Sequence, residues 1–292
     1  MLTQLSEYHR PGKMSQALRL LARRDVVMAP LAGGTWLVAQ RDPAIQAVVD
    51  LSALGLDFVK ASARRLRLGA MLTLQAVSAH PTITIQGWAD GLLSQAAVRT
   101  APRPIRNMAT IGGTLAVGEP TAPVNLALLA LGAEVTIRMP AARSVPLHVL
   151  FADRSTYLPP HALLTEIALP QLPAHPGTAY AAVSRTPHGQ PIVNAAAVVT
   201  RVDQSCHHAR LALGGVAPYP LRVSGVEALL LGRQIDEPLL ANVANAILEA
   251  VDPPADSRAS ADYRREMAAV VGVRALREAW EQTGRSPVWK SL

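Results

Sequence analysis

The hydrophobic positions of the first fifty residues follow two different periods. Residues 14–24 (MSQALRLLARR) place apolar side chains on one helical face and arginines on the other. Residues 26–31 and 45–51 are mostly apolar over the length of a strand. The opening fifty residues therefore predict a small βαβ unit.

The middle of the chain mixes short strands with helices. Alternating or short apolar runs predict strands at 66–70, 134–138 and 163–169. Helical periodicity predicts helices at 73–80, 91–101 and 123–131. Thr73 suits the N-cap of the first of these helices, and Pro81 is expected to end it.

A proline-rich stretch at 159–176 marks the best domain boundary. Beyond it, the pattern predicts strands at 178–184, 192–202 and 209–214 and helices at about 238–251 and 262–282. The second half is thus expected to be an α+β unit with three strands and helices on one face.

Two glycine pairs stand out in this pattern, each preceded by apolar residues and followed by a threonine. The first loop is defined as 32–36 (AGGTW) and the second loop as 110–114 (TIGGT). Adjacent glycines permit positive φ and expose consecutive N–H groups, so either loop could bind an anion. A single Gly-Gly-Thr sequence is usually an ordinary turn, but two such loops could bind a diphosphate from two sides.

The order, spacing and flanks of these loops resemble the flavin-binding medium subunit of molybdenum hydroxylases, the group of CO dehydrogenase and xanthine dehydrogenase. In that family the first loop reads close to AGGT-D-L and the second close to IRN-x-ATIGGN, where this chain has IRNMATIGGT at 105–114. The segments ALGGVAPYPLR at 212–222 and DYRREMAAVVGVRAL at 262–276 resemble the family too. The similarity therefore extends over nearly the whole chain.

The resemblance implies an α+β fold in two parts. The first is a two-subdomain FAD-binding domain of the vanillyl-alcohol-oxidase/PCMH-like type over 1–172, with a small βαβ part at about 1–55 and a larger part at about 56–172. The second is a C-terminal α+β domain over 177–285, in which a three-stranded antiparallel sheet carries a helical layer.

The resemblance also implies the cofactor site. FAD is expected against both loops, with amides of their glycines on the diphosphate, threonine hydroxyls as further donors and Ile111 under the isoalloxazine ring. No catalytic or metal-binding residue is expected. The residues expected to bind FAD are Ala32, Gly33, Gly34, Thr35, Trp36, Thr110, Ile111, Gly112, Gly113 and Thr114.

The function that follows is that of an electron-transfer subunit. Electrons would pass from 2Fe-2S clusters of a small subunit through FAD to an external acceptor, while a large subunit holds the molybdenum cofactor. The complex is expected to be a dimer of heterotrimers.

Four positions depart from the family pattern, and they leave an FAD-free structural subunit of the same complex as the alternative. These are Trp36, Thr114, Pro123 (where the family has Asp) and Ala181 (where it often has Lys). A stand-alone oxidase of the wider flavin-binding superfamily is a third hypothesis, but no acid/base residues for a substrate pocket can be identified.

Composition narrows the chemistry further. Cys206 is the only cysteine, which excludes an internal disulfide, an all-cysteine iron–sulfur cluster and a four-cysteine zinc site. The formal charge is +7, but only three lysines occur and the arginines are scattered, so no nucleic-acid partner is expected. A compositional habit or an acidic partner subunit explains the excess positive charge. No membrane span or secretory leader is recognised, which predicts a cytoplasmic protein.

Two further motifs had competing interpretations. Arg106 and Asn107 either brace the second loop or touch the cofactor, and bracing is favoured because arginine before a tight turn commonly binds main-chain carbonyls. His207 and His208 form a doublet that could suggest a metal, but neighbouring strand residues face opposite sides and no acidic cluster accompanies them. A solvated turn is therefore expected there.

Overall fold

The computed structural model describes residues 2–84, 88, 91–173, 176–186 and 189–283. Its first fifty residues form a small parallel sheet in the order β1-β3-β2, with a helix between β1 and β2. The elements are β1 (Glu7–His9), α1 (Met14–Leu21), β2 (Met28–Leu31), α2 (Leu37–Gln40) and β3 (Ala47–Asp50). The predicted βαβ unit forms, and β1, which has no clear hydrophobic signal, was missed.

The larger part of the first half is an antiparallel sheet with helices packed on it, in the strand order β4-β5-β8-β6-β7. The strands are β4 (Val59–Ala61), β5 (Arg65–Gly69), β6 (Glu134–Arg138), β7 (Ala142–Pro146) and β8 (Leu163–Pro170). The helices are α3 (Leu74–Ala79), α4 (Pro81–Thr84), α5 (Leu92–Thr100), α6 (Arg103–Arg106), α7 (Ile111–Val117), α8 (Pro123–Ala130), α9 (Leu147–Ala152) and α10 (Arg154–Tyr157).

The helix boundaries follow the predicted local signals. The Thr73 hydroxyl accepts from the Ala76 amide at 3.1 Å and begins α3. Pro81 follows the end of α3 as predicted, although it also opens the short α4. The second loop differs, because residues after Thr110 continue as α7 rather than as an open turn.

The C-terminal half is the predicted α+β unit. Its antiparallel sheet has the order β12-β11-β10-β9, so a short strand is added at the edge of the three that were predicted. The elements are β9 (Gly177–Val183), β10 (Val193–Val202), β11 (Ser205–Gly214), β12 (Leu221–Arg222), α11 (Ser224–Leu230), α12 (Glu237–Ala250) and α13 (Ala261–Gln282). Leu221 and Arg222 follow Pro220 and were too short a segment to show a strand pattern.

One apolar core joins the two halves. Every residue of α8 is buried, and the core around it includes Ala196, Val198 and Ala212 of the C-terminal sheet. A helix that is hydrophobic on all sides is expected only in such an interior position. The small βαβ unit has only a thin core among the described residues, in which Ala17, Leu21, Val49 and Leu51 pack against Leu163 of β8.

The α+β fold class is confirmed by these sheets and helices. Within the ranges that the structure describes, no helix is both long and apolar enough to cross a membrane.

Candidate functional site

The two glycine loops meet although about seventy residues separate them. A Cβ atom built on Gly33 would overlap the carbonyl oxygen of Met108, which lies two residues before the second loop. A Cβ atom on Gly113 would lie 3.9 Å from the Cβ of Ala32. Such contact between two backbones requires glycine at position 33. The loops therefore form two walls of one site.

A large cavity opens between these walls, with a volume of about 1510 Å³. It exceeds the range of about 300–1,000 Å³ that is typical of small-molecule sites. Both loops line it, and so do β2, the residues around α10 and, from the C-terminal half, Tyr180, Ser184 and Gln190. The cavity thus reaches from the βαβ unit to the C-terminal sheet.

The first loop turns its main-chain amides away from any protein acceptor. Gly34 has φ of +71°, a conformation that favours glycine. The carbonyls of Gly34 and Trp36 accept from the amides of Val38 and Gln40 in α2, at 3.0 and 3.1 Å. The N–H groups of residues 33–36 donate to no acceptor within the described part of the chain. Four amides at the start of a helical turn can bind an anion.

The second loop has a different construction, and the predicted positive-φ turn is wrong for it. The Ile111 and Gly112 amides donate to the carbonyls of Leu72 and Ala70, both at 2.9 Å. The Gly113 amide donates to the Thr110 hydroxyl at 3.0 Å, because Thr110 is the N-cap of α7. These amides are therefore already used within the protein.

Close packing explains the glycine at position 112. Ala70 directly follows β5. A Cβ atom on Gly112 would lie 2.6 Å from both the carbonyl oxygen and the Cβ of Ala70. The second loop thus contributes a tightly fitted surface to the cavity rather than a set of free donors. The hydroxyl of Thr114, which also lines the cavity, donates to the Thr110 carbonyl at 3.0 Å.

Ile111 is the predicted residue that does not reach the cavity. Its side chain is fully buried in the core of the larger sheet, whereas the other nine predicted residues line the cavity wall. The reason is helical geometry, because Ile111 and Leu115 share the buried face of α7, whereas Gly113 and Thr114 are partly exposed. The predicted support of a ring by Ile111 is therefore wrong.

Arg106 binds main-chain carbonyls, but they lie at the end of α5 rather than in the second loop, so the bracing of that loop stays a prediction. Its guanidinium donates to the carbonyls of Val98 and Ala101, at 3.2 and 3.0 Å, and to the Gln75 side chain at 3.1 Å. Asn107 is exposed and does not line the cavity, so neither interpretation applies to it.

Charge along the cavity wall is mostly positive. The charged residues that line it are Arg99, Arg106, Arg154 and Glu119. Arg154 donates to the carbonyls of Ala116 and Val117 at the end of α7, and burial lowers the pKa of its guanidinium from the usual range. Arg99 lies over the ring of Tyr180, 5.3 Å from its centroid.

Tyr180 and Gln190 were not found from the sequence, because both come from the C-terminal half. Asn194, which is fully buried, donates to the Tyr180 hydroxyl and to the Thr121 carbonyl, each at 2.9 Å. Burial raises the pKa of the Tyr180 phenol. No local motif signals residues that meet only through a β-sheet and a loop from another domain.

The histidine doublet lies elsewhere, and the predicted solvated turn is wrong. His207 and His208 belong to β11, since the hairpin turn comes earlier, at 203–204. His207 is exposed, whereas burial and the nearby Arg210 lower the pKa of His208 to about 4. Among the residues described, no group of His, Cys, Asp or Glu side chains could hold a metal ion.

Comparison with known protein families identifies the family of this chain. Residues 3–172 match the family model described as the FAD binding domain in molybdopterin dehydrogenase. Residues 178–279 match the CO dehydrogenase flavoprotein C-terminal domain. The chain belongs to the molybdenum hydroxylase flavoprotein family.

Curated members of this family are similar along their whole length. The carbon monoxide dehydrogenase medium chain of Afipia carboxidovorans is 31% identical over 280 residues, which cover 94% of this chain and 96% of that protein. Subunit alpha of the 6-hydroxypseudooxynicotine dehydrogenase complex of Paenarthrobacter nicotinovorans is 31% identical over 282 residues, with 94% of each chain covered. The resemblance found in the sequence is therefore confirmed.

Solved structures of the molybdenum hydroxylase flavoprotein family share the fold. A chain of the reconstituted CO dehydrogenase from Oligotropha carboxidovorans superposes with a TM-score of 0.88 at 28% identity, over 97% of this chain and all of that one. The protein is thus a member of a family of oxidoreductase subunits that carry an FAD-binding domain.

The positions that depart from the family pattern do not all face the cavity. Trp36 is 50% exposed and lines it, and so do Thr114 and Pro123, the latter at the start of α8. Ala181 is buried in the core of the C-terminal unit. The loss of lysine at position 181 therefore leaves the cavity wall unchanged.

Proposed function

We propose that this chain is the FAD-carrying medium subunit of a molybdenum hydroxylase complex. In this complex, electrons pass from 2Fe-2S clusters of a small subunit through FAD to an external acceptor. The observation that carries the proposal is the set of unbonded amides at 33–36, which belong to residues lining a cavity of about 1510 Å³.

The residues present fit FAD by their chemistry. Four amides without protein acceptors suit a diphosphate, and the three lining arginines give the wall a positive field that favours the same anion. Bound FAD would supply reversible uptake of one or two electrons, which no side chain of this protein provides. The protein would hold the diphosphate, orient both halves of the cofactor and exclude water from the site.

Within this proposal, the predicted site residues have unequal roles. Gly33, Gly34, Thr35 and Trp36 would bind through their amides, with the Thr35 hydroxyl as an additional donor. Ala32, Thr110, Gly112, Gly113 and Thr114 would shape the wall by contact. The ring is assigned to the end near Arg99 and Tyr180, where half-exposed Val98 and Ile105 leave it within reach of a partner.

Two observations favour the FAD-free alternative. The amides of residues 111–114 are all bonded within the protein, so the cofactor would depend mainly on the first loop. In addition, Pro123 supplies no carboxylate at the cavity wall. The alternative is a scaffold subunit that keeps the fold and the cavity without the cofactor.

Absorption and titration experiments decide between the two. The full-length chain, purified alone or with its complex, should show flavin absorption, and the apoprotein should bind added FAD in isothermal titration calorimetry. A colourless, correctly folded complex whose apoprotein binds no FAD would contradict the proposal and support the scaffold.

The partners belong to the same proposal. They are a small 2Fe-2S subunit and a large molybdopterin-binding subunit, assembled as a dimer of heterotrimers, and the cytoplasmic location stays a prediction. Native mass spectrometry of the tagged chain, isolated from its own cells, should give masses for the heterotrimer and its dimer. A monomer that oxidises substrate without partners would instead indicate the stand-alone oxidase.

A further inference from the structure

The carboxylate of Glu119 has an unusual environment for a charged group in the cavity wall. Among the described residues that line the cavity, it is the single acidic side chain. It forms no ion pair with any residue that the structure describes, although Arg99, Arg106 and Arg154 line the same cavity. Its charge is therefore not neutralised by the protein.

Neutral donors hold one of its two oxygens. Gln190 Nε2 donates to Glu119 Oε1 at 3.0 Å, and the Thr121 hydroxyl donates to the same oxygen at 3.2 Å. Glu119 Oε2 has no donor among the described residues. A carboxylate can accept about four hydrogen bonds, so at least half of its capacity is left for a ligand.

The main chain around Glu119 is fixed. Its carbonyl accepts from the Ala122 amide at 3.2 Å and from Asn125 Nδ2 at 3.1 Å, and Asn125 is fully buried. The Thr121 carbonyl accepts from the buried Asn194 of the C-terminal sheet. Both halves of the chain thus hold this segment in place, which preorganises the carboxylate before any ligand binds.

The charge of Glu119 decides which part of a ligand can lie against it. A diphosphate is repelled by a carboxylate, so the phosphates belong at the first loop. A ligand that displaces water from Glu119 must bring hydrogen-bond donors, since leaving a desolvated charge unpaired is strongly unfavourable. The ribityl hydroxyls and the ring N–H of a flavin are such donors.

Tyr180 and Gln190 locate this acceptor at one end of the cavity. Gln190 binds Glu119 directly, and Asn194 joins Tyr180 to the Thr121 carbonyl. This is the end of the cavity to which the ring was assigned above.

We infer that Glu119 is a positioning residue for the riboflavin half of FAD, accepting hydrogen bonds from its ribityl hydroxyls or ring N–H through Oε2. The inference rests on the proposed function. Gln190 of the C-terminal half holds the Glu119 carboxylate, which in turn orients the cofactor that the first loop binds.

Two ligands separate this role from a general effect on the fold. FAD contains both halves of the cofactor, whereas ADP contains only the diphosphate and the adenosine. Both are titrated calorimetrically into the full-length apoprotein and into Glu119→Gln and Glu119→Ala. The matched control is Glu249→Gln, which removes the same charge from an exposed position on α12 that does not line the cavity.

Substitution of Glu119 is expected to change the affinity for FAD but not the affinity for ADP. Glu119→Ala should weaken FAD binding about tenfold to a hundredfold, the effect of losing a hydrogen bond to a charged group. Its affinity for ADP should stay within about twofold of the wild type. Glu119→Gln should lie between, because the amide keeps an acceptor oxygen, and Glu249→Gln should match the wild type.

Other outcomes would overturn the inference in distinguishable ways. Equal losses for FAD and ADP, with a lower melting temperature of the ligand-free variant, would make Glu119 structural. Unchanged FAD affinity in both Glu119 variants would exclude the contact while leaving the proposed function intact. If the wild-type chain binds neither ligand, the proposed function fails and the inference with it.

Discussion

The first and second loops share the letters Gly-Gly-Thr but have opposite hydrogen-bonding states. The amides of residues 33–36 have no protein acceptor, whereas those of residues 111–114 donate to Leu72, Ala70 and Thr110. One loop is built to receive a ligand, and the other is built to stay in place. The comparison teaches that a glycine pair reports close backbone contact, and that its donors must be followed individually before a ligand is assigned.

The largest expected effect comes from separating the loops. Gly33→Ala places a Cβ atom against the Met108 carbonyl, which cannot move without disturbing the second loop. We expect a loss of about 3 kcal/mol in the free energy of unfolding, measured by urea denaturation. Gly12→Ala is the control, because no atom lies within 4 Å of its added Cβ. Equal stability of the two variants would show that the loops do not touch.

Ligand binding should act on the loops unequally. FAD at about 100 times its dissociation constant should stabilise the chain by about 2.7 kcal/mol. Amides of residues 33–36 should become protected from hydrogen exchange only when FAD is bound, and amides 112–114 should be protected in both states. NMR exchange measurements check this, and ligand-dependent protection of the second loop would contradict the difference described here.

A matched pair of threonines tests the same contrast. Thr110→Val removes the cap acceptor of the Gly113 amide and should cost about 1 kcal/mol of unfolding free energy, while Thr110→Ser should retain it. Thr35→Val should leave the stability of the ligand-free chain nearly unchanged, since no described residue bonds that hydroxyl. If Thr35→Val proves as destabilising as Thr110→Val, the hydroxyls of both loops support the ligand-free fold equally, which would contradict the contrast.

A pH effect is expected outside both loops, which contain no titratable side chain. The folded-state pKa of His208 is about 4, below the ordinary value of 6.5, so the unfolded chain binds more protons between these values. Stability should therefore be full above pH 6.5 and fall as the pH drops towards 4. Melting temperatures check this.

The control for the pH effect is the neighbouring histidine. His208→Asn should flatten the pH dependence of the melting temperature, whereas substitution of the exposed His207 to Asn should not. A pH profile that persists in His208→Asn would assign the titration to another group.

Much of the fold could be predicted, because its signals are local. The N-cap at Thr73, the mostly apolar α8 and the long helix α13 follow from periodicity and capping within a few residues. β1 was missed, since Glu7–His9 becomes a strand only by pairing with β3.

The site was predicted in outline, and the errors have one physical cause. The occupied amides of the second loop depend on carbonyls of Ala70 and Leu72, forty residues earlier in the chain. Glu119 and Gln190 meet only when the two halves pack together. Contacts between distant segments leave no pattern in either segment alone.

The thin core of the βαβ unit has a consequence for the life of the protein in the cell. Among the described residues, four of its own buried side chains form that core, and it contacts the larger part through Leu163 of β8, Met71 and the close approach at Gly33. A dinucleotide bridging the loops would fasten this unit to the rest. Subunits that lack the cofactor would then be cleaved by proteases most readily within their first fifty residues. Degradation would therefore leave the FAD-bound subunits.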